Sequence, residues 1–227
     1  MEGRRGVCPD CPVKRAGVLG TLVDAKTGHC ELRCLFVPAR HTLPPRWFGA
    51  YGLALVRRGF LVRQRIDASG TATAVDALGP GSVVPLPDSA DGSGGYAADE
   101  ALVCLVPRAT LRGVVDAGAP ASGQVVGLHL SALERVERIT EARARPTAAA
   151  RVASLLCALA DHLAPPRRLD RIPSSLQQRD LAALLSMRHE SVCRALGAFE
   201  RKRWLTRGPE GIRLHDRAQL EAAGRAA

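Results

Sequence analysis

The sequence predicts an α+β chain: an N-terminal β-sandwich or small barrel, then a long helix, then a C-terminal winged helix-turn-helix. Three observations predict it. Short strand-like runs broken by turn signals fill the stretch from about Cys34 to Leu111. An apolar stripe at helical spacing runs on from Ser122. A basic C-terminal segment then reads helix, turn, helix, strand, turn, strand.

The barrel elements come first. Leu53 to Val56, Leu61 to Ile66 and Thr71 to Leu78 are strand-like, and Glu100 to Pro107 reads as one more strand. Between them lie the turn-like Arg57-Arg58-Gly59, Asp67 to Gly70 and Gly79-Pro80-Gly81. Strands at this close and regular spacing suit a sandwich or small barrel. The polar, Gly-rich run from Asp88 to Gly95 reads as a loop. From Ser122 the texture is helical. Val126, Leu130 and Leu133 fall at i, i+4 and i+7, and Val136 continues the stripe. Such a face packs on its own barrel or forms a dimer seam. Pro146 should break the helix, and Arg151 to Leu163 should form a second one. The paired prolines at Pro165 and Pro166 mark a linker. The expected organisation is a Cys-rich segment at 1–34, a strand-rich domain at 35–121, a long helix with its connecting helix at 122–164, and a winged helix-turn-helix at 165–227.

Composition narrows the function. Of 227 residues, 46% are apolar, enough for a core, so the disordered class is excluded. No apolar run is long enough to span a bilayer, and Met1 to Arg15 has no apolar core of the secretory type. A cytoplasmic protein is expected. The net charge of +10 points to a polyanionic partner. The stretch 165–227 holds 13 Arg/Lys against 7 Asp/Glu, more than half of that surplus.

Within that stretch, Gln178 to Leu196 carries the helix-turn-helix pattern. Asp180-Leu181-Ala182 lies in the first helix, and the small Ala182 suits a close helix crossing. Ser186 and Met187 form the turn. Val192, Leu196 and Phe199 face inward, which leaves Glu190, Cys193 and Arg194 on the opposite ridge. In a major groove Arg bonds guanine O6 and N7, and Glu accepts from the cytosine amino group. Arg201-Lys202-Arg203 closes the helix and suits phosphate. Trp204 to Arg207, Gly208 to Gly211 and Ile212 to Leu214 then read as a wing. The candidate DNA contacts are His189, Glu190, Ser191, Cys193, Arg194, Arg201, Lys202 and Arg207.

Asp180-Leu181-Ala182, Glu190 to Arg194 and the wing resemble the Crp/Fnr superfamily of bacterial transcription factors. The resemblance runs from about Leu35 to Leu220. Thr73 to Val84 is similar to that family's barrel strand and Gly-turn. It implies a cyclic-nucleotide-binding-like β-barrel of jelly-roll type, a dimerisation helix with a homodimer seam through Val126, Leu130, Leu133 and Val136, double-stranded DNA with a palindromic operator, and RNA polymerase as a partner. It implies base reading by Glu190 and Arg194, with Cys193 between them where the family often has Ser or Gly. Cyclic-nucleotide binders carry Gly-Glu after the turn and a later Arg. Here the turn runs Gly81 to Pro85 without Glu, and Gly94 to Ala98 holds no Arg, so a cyclic phosphate would be poorly held.

Seven cysteines are an odd count for a disulfide scaffold. Cys8 and Cys11 are separated by two residues, Cys30 and Cys34 by three, and Cys104 lies in a strand. These spacings suit zinc as well as an iron–sulfur cluster. The resemblance sharpens the choice, because Cys8, Cys11 and Cys104 match positions of the family's oxygen-sensing branch. A third matching position is Gly17, so Cys30 or Cys34 would substitute. The expectation is a [4Fe–4S] cluster held by four of Cys8, Cys11, Cys30, Cys34 and Cys104, with redox, oxygen or nitric oxide as the signal. Zinc, haem, a thiol redox switch and no cofactor are the alternatives. Cys157 is expected in the core. His29 adjoins Cys30, and the other histidines are scattered. A cupin-type metalloenzyme would need clustered histidines, and the barrel stretch holds His41 alone. No enzymatic activity is expected.

Overall fold

The computed structural model describes residues 32–88, 92–116, 118–163 and 170–226. Cys8, Cys11, Cys30 and the linker prolines lie outside them. The elements are, in order, β1 (Arg33–Val37), β2 (Tyr51–Arg58), β3 (Leu61–Ile66), β4 (Ala72–Leu78), β5 (Val83–Pro85), β6 (Ser93–Ala97), β7 (Ala101–Pro107), α1 (Arg108–Asp116), α2 (Ala119–Ala144), α3 (Ala148–Leu163), β8 (Arg171–Pro173), α4 (Gln178–Leu185), α5 (His189–Arg201), β9 (Leu205–Gly208), β10 (Gly211–Leu214) and α6 (Arg217–Arg225). No helix among them is long and apolar enough to cross a membrane. The chain divides into two compact units. One holds the described residues up to Leu61 together with 78–133, and the other holds 62–77 with the residues from Glu134 onward.

The first unit is built on a four-stranded sheet of order β1-β7-β2-β5. Strand β7 pairs antiparallel with β1 and with β2, so it is central. Period-two alternation sends Ala101, Val103 and Leu105 to one face, where they meet Leu35, Val37, Trp47, Phe48 and Val56 in the larger core cluster. Cys104 and Val106 go to the other face and join Leu32, Leu53, Leu55, Val83 and Val125. Burial on both faces explains why this strand is apolar throughout rather than alternating. Strands β4 and β3, which lie almost wholly in the second unit, are neighbours in a further sheet.

Two parts of this unit differ from the sequence expectation. Strand β6 occupies Ser93–Ala97, so it begins within the Asp88 to Gly95 stretch that reads as a loop. Its glycines have low strand propensity alone, but the backbone bonds Leu43 N to Gly95 O (2.8 Å) and Arg40 N to Ala97 O (2.7 Å) pin it. Helix α1 follows Pro107 directly. Arg108 anchors its start by donating to Gly49 O (2.8 Å) and Leu86 O (2.9 Å), partners remote in sequence.

The second unit is centred on α3, most of which is buried, including Cys157. Helix α2 ends at Ala144, before Pro146, and Thr147 Oγ1 accepts from Ala150 N (3.1 Å) at the start of α3. Strand β8 joins the wing pair in a sheet of order β8-β10-β9. Asp216 caps α6 by accepting from Gln219 N (3.0 Å).

Candidate functional site

Helices α4 and α5 enclose a three-residue turn. The entry to α4 is a capping box, in which Gln177 and Asp180 satisfy each other's backbone N–H groups, and Asp180 is buried by that role. The exit is Ser186, in the left-handed region at φ 51°, with Met187 N bonded to Ala182 O (2.9 Å). Val192, Ala195, Leu196 and Phe199 bury one face of α5. His189, Glu190 and Arg194 are exposed on the opposite face, and Ser191 and Cys193 are half-buried beside them. Arg194 Nη2 lies 3.4 Å from Ser191 Oγ. Cys193 is turned back, its thiol donating to Gln178 Oε1 (2.7 Å) with the His189 ring at 3.5 Å.

The cations of the ridge are not equivalent. Arg201 is exposed at the end of α5. Lys202 Nζ sits over the Trp204 ring at 4.4 Å, and that ring stacks on Phe199. Arg207 is paired with Glu200, its Nε 3.0 Å from Oε2, and the guanidinium holds the Glu200 carboxyl below its usual range. Gln178 and Arg179 at the start of α4 line a groove of about 390 Å³ with His189 and Arg207. The sequence reading did not single out Gln178 or Arg179. Their signal was their place at the first turn of the first helix.

Residues 150–223 match the Crp-like helix-turn-helix domain. The chain carries a Crp-like helix-turn-helix domain, and its fold is similar to that of solved CRP- and Crp/Fnr-family regulators. Solved structures extend the likeness beyond the domain. FixK2 from Bradyrhizobium japonicum superposes with a TM-score of 0.72 at 20% identity, over 86% of this chain and 98% of that one. A CRP-family transcriptional regulator from Thermus thermophilus gives 0.64 at 18%, over 85% and 97%. A CooA variant from Carboxydothermus hydrogenoformans gives 0.64 at 17%, over 85% and 87%. No curated protein sequence matches the chain.

In the first unit, α2 turns Val125 and Ala132 inward. Val126, Leu130 and Leu133 are 57%, 54% and 55% exposed, and Val136 is half-buried. The three exposed residues form a continuous apolar row.

The structure also brings two of the sequence-predicted cysteines together. Cys34 of β1 and Cys104 of β7 are directly opposed in the antiparallel register, and Leu55 of β2 is opposed to Cys104 on the far side. The Cys104 thiol donates to Cys34 Sγ at 3.4 Å. Cys104 is 2% exposed, whereas Cys34 is half-buried. Leu111 and Val114 of α1 and Val125 and Leu128 of α2 pack in the same cluster as the pair. The bond from Cys104 and the neighbouring Arg57 guanidinium bring the Cys34 thiol down to about 6, against the opposing effect of burial. Arg57 was not singled out in the sequence. It reads there as part of a turn, whereas it lies in β2 at an irregularity of the pairing with β7 between Val56 and Arg58. Cys8, Cys11 and Cys30, the remaining candidate ligands, lie outside the described residues. Among the described residues, no three His, Cys, Asp or Glu side chains group as a metal site.

Proposed function

We propose that this chain is a dimeric, sequence-specific DNA-binding transcription regulator of the Crp/Fnr type, and not an enzyme. One observation carries the reading: α5 exposes Glu190 and Arg194 on one ridge of a Crp-like helix-turn-helix domain. A carboxylate and a guanidinium there suit base edges, while Arg201 and the start of α4 suit flanking phosphates. Two such helices, paired through Val126, Leu130 and Leu133 of α2, would meet half-sites about one helical turn apart on a palindromic operator. RNA polymerase is the expected partner of the DNA-bound dimer.

For the signal, we propose redox chemistry at the cysteines. A [4Fe–4S] cluster would use thiolates from Cys8, Cys11 and Cys30 with Cys34 or Cys104, and would supply an oxygen-labile centre when bound. Cys34 and Cys104 offer soft thiol donors next to the Arg57 guanidinium, which suits the negative charge of such a centre. Contact between the two thiols, with Cys104 closed into apolar packing, suits one of them as a cluster ligand better than both.

The test is selection of bound duplexes from a random pool by protein prepared without oxygen, with its iron counted. The expected result is a palindromic consensus, weakened or strengthened after the iron is lost in air. Binding with no sequence preference would overturn the regulator. A palindrome bound equally with and without iron would leave the regulator and remove the cluster.

A further inference from the structure

We propose that Cys34 and Cys104 form a cross-strand dithiol that a peroxide converts to a disulfide beneath the start of helix α2. The inference goes beyond the cluster reading and does not need it, because it uses only these two side chains and the sheet between them.

The register supports it. Directly opposed residues of an antiparallel pair have Cα atoms about 4.5 or 5.5 Å apart, and both values lie within the range that a disulfide accepts. The sulfurs are already in contact at 3.4 Å. Bond formation therefore needs rotation of two side chains and no strand movement. The other described cysteines are placed differently. Cys157 is packed in α3, and Cys193 faces Gln178 and His189 on α5.

The two sulfurs differ in access, which assigns their roles. Cys34 is half-buried and reaches solvent, so it meets the peroxide first. Its thiolate attacks one peroxide oxygen, the O–O bond breaks, and the sulfur becomes a sulfenic acid. The departing hydroxide takes a proton and leaves as water. Cys104 is enclosed, so it resolves. Its sulfur attacks Cys34 Sγ, the S–S bond forms, the S–O bond breaks, and the hydroxyl leaves with the Cys104 proton as a second water. Two thiols lose two electrons and two protons, and one peroxide becomes two waters.

The site's neighbours give the change a route outward. Leu111, Val114, Val125 and Leu128 share the cluster with the pair. Drawing the sulfurs from contact to bonding distance alters the surface on which α1 and α2 rest. Val125 faces that surface, and the next residue, Val126, begins the exposed apolar row.

The experiment uses the full chain, reduced, treated with chelator, shown to be free of iron and zinc, and then exposed to equimolar hydrogen peroxide. The expected result is the loss of two thiols per chain and a peptide pair linked through Cys34 and Cys104, reversed by dithiothreitol. C104S should instead stop at a sulfenic acid on Cys34 that dimedone captures, and C34S should lose no thiol at Cys104. Because Cys104 lies in the core, circular dichroism of C104S is compared with that of C104A, and capture on Cys34 in either folded variant supports the assignment. Peroxide that leaves Cys34 and Cys104 both open to alkylation after unfolding would overturn it, as would linkage of Cys34 to another cysteine. The cluster reading fails separately, through absence of iron from protein prepared without oxygen.

Discussion

At the scale of single residues, the exposed ridge of α5 was legible because it follows from helical spacing alone. Val192, Leu196 and Phe199 had to face inward, which left Glu190 and Arg194 outward, and the structure has them so. Arg194 makes one long contact to Ser191 and is otherwise directed to solvent, so little holds it from a guanine. Arg194→Ala should cost about 1–3 kcal/mol of specific binding and relax preference at one base of each half-site. Titration of the selected duplex and of its single-base variants checks this. Unchanged discrimination would remove Arg194 from the reading role. The partners of Lys202 and Arg207 were not legible, because stacking on Trp204 and pairing with Glu200 depend on where β9 returns. Gly211 is a second residue-scale case. The sequence marks Gly208 to Gly211 as a turn, and Gly211 opens β10 at φ +118°. A Cβ there would strike the backbone of Ile172 and Pro173 in β8, a strand that spacing did not reveal. Gly211→Ala should therefore lower stability by at least the roughly 1–3 kcal/mol of such backbone strain, seen as a lower urea midpoint. An unchanged midpoint would mean that the wing moves away from β8 freely.

At the scale of elements, the strand runs and the break at Pro146 were readable from pattern. What holds the β3–β4 segment to the helices of the second unit was not. Asp76 of β4 is fully buried, with Arg135 Nε of α2 at 3.4 Å from its Oδ2. Burial raises the Asp76 carboxyl despite Arg135, Arg63 and His162 nearby. His162 of α3 has Ala158 O at 2.7 Å and Ala77 O at 3.0 Å from its ring nitrogens. Arg143 of α2 donates to Ala74 O of β4 and to Leu184 O at the end of α4. These links join residues far apart in sequence, and spacing carries no trace of them. They do predict a pH response. Burial lowers the His162 pKa, with Asp76 and the Ala77 and Ala158 carbonyls acting the other way and Arg135 in the same direction. Unfolded His162 takes a proton near 6.5, while the folded ring takes it only at lower pH. Its contribution to stability is thus present above about pH 6.5 and lost as pH falls towards the folded value. Asp76 has the opposite sign, since its raised pKa favours the fold at low pH and loses that contribution as pH rises from the ordinary carboxylate range. His162→Gln keeps an amide donor for Ala77 O and removes the titration. Between pH 7.5 and pH 5.5 the wild-type urea midpoint should fall more, or rise less, than the variant's. Equal changes would assign the response elsewhere.

At the scale of the whole molecule, the order of barrel, long helix and helix-turn-helix was legible because each part has its own sequence period. The cysteine chemistry was legible only as spacing, and the contact of Cys34 with Cys104 came from strand register across a separation of 70 residues. The helical stripe left two readings open, packing on the barrel or a dimer seam, and Val126, Leu130 and Leu133 of that stripe are off the face of α2 that packs within the chain. Val125, Ala132 and Ile139 recur every seven residues on the buried face, and Val126, Leu130 and Leu133 stand exposed. An apolar row at helical spacing on one long helix suits a second copy of the same helix, related by two-fold symmetry. The DNA-binding consequence follows from linkage. When two recognition helices are joined, the second half-site is met at a local concentration that a separate chain reaches only at far higher total protein. Leu130→Lys places a charge in the centre of the row and disturbs nothing buried within one chain, so its urea midpoint at low protein concentration should stay near that of wild type. Sedimentation should show a monomer. Affinity for the full palindrome should fall by about 10²-fold or more, while affinity for a single half-site should hold or rise slightly with the added charge. A monomeric variant that bound the palindrome as tightly as wild type would break the link between the exposed row of α2 and operator recognition.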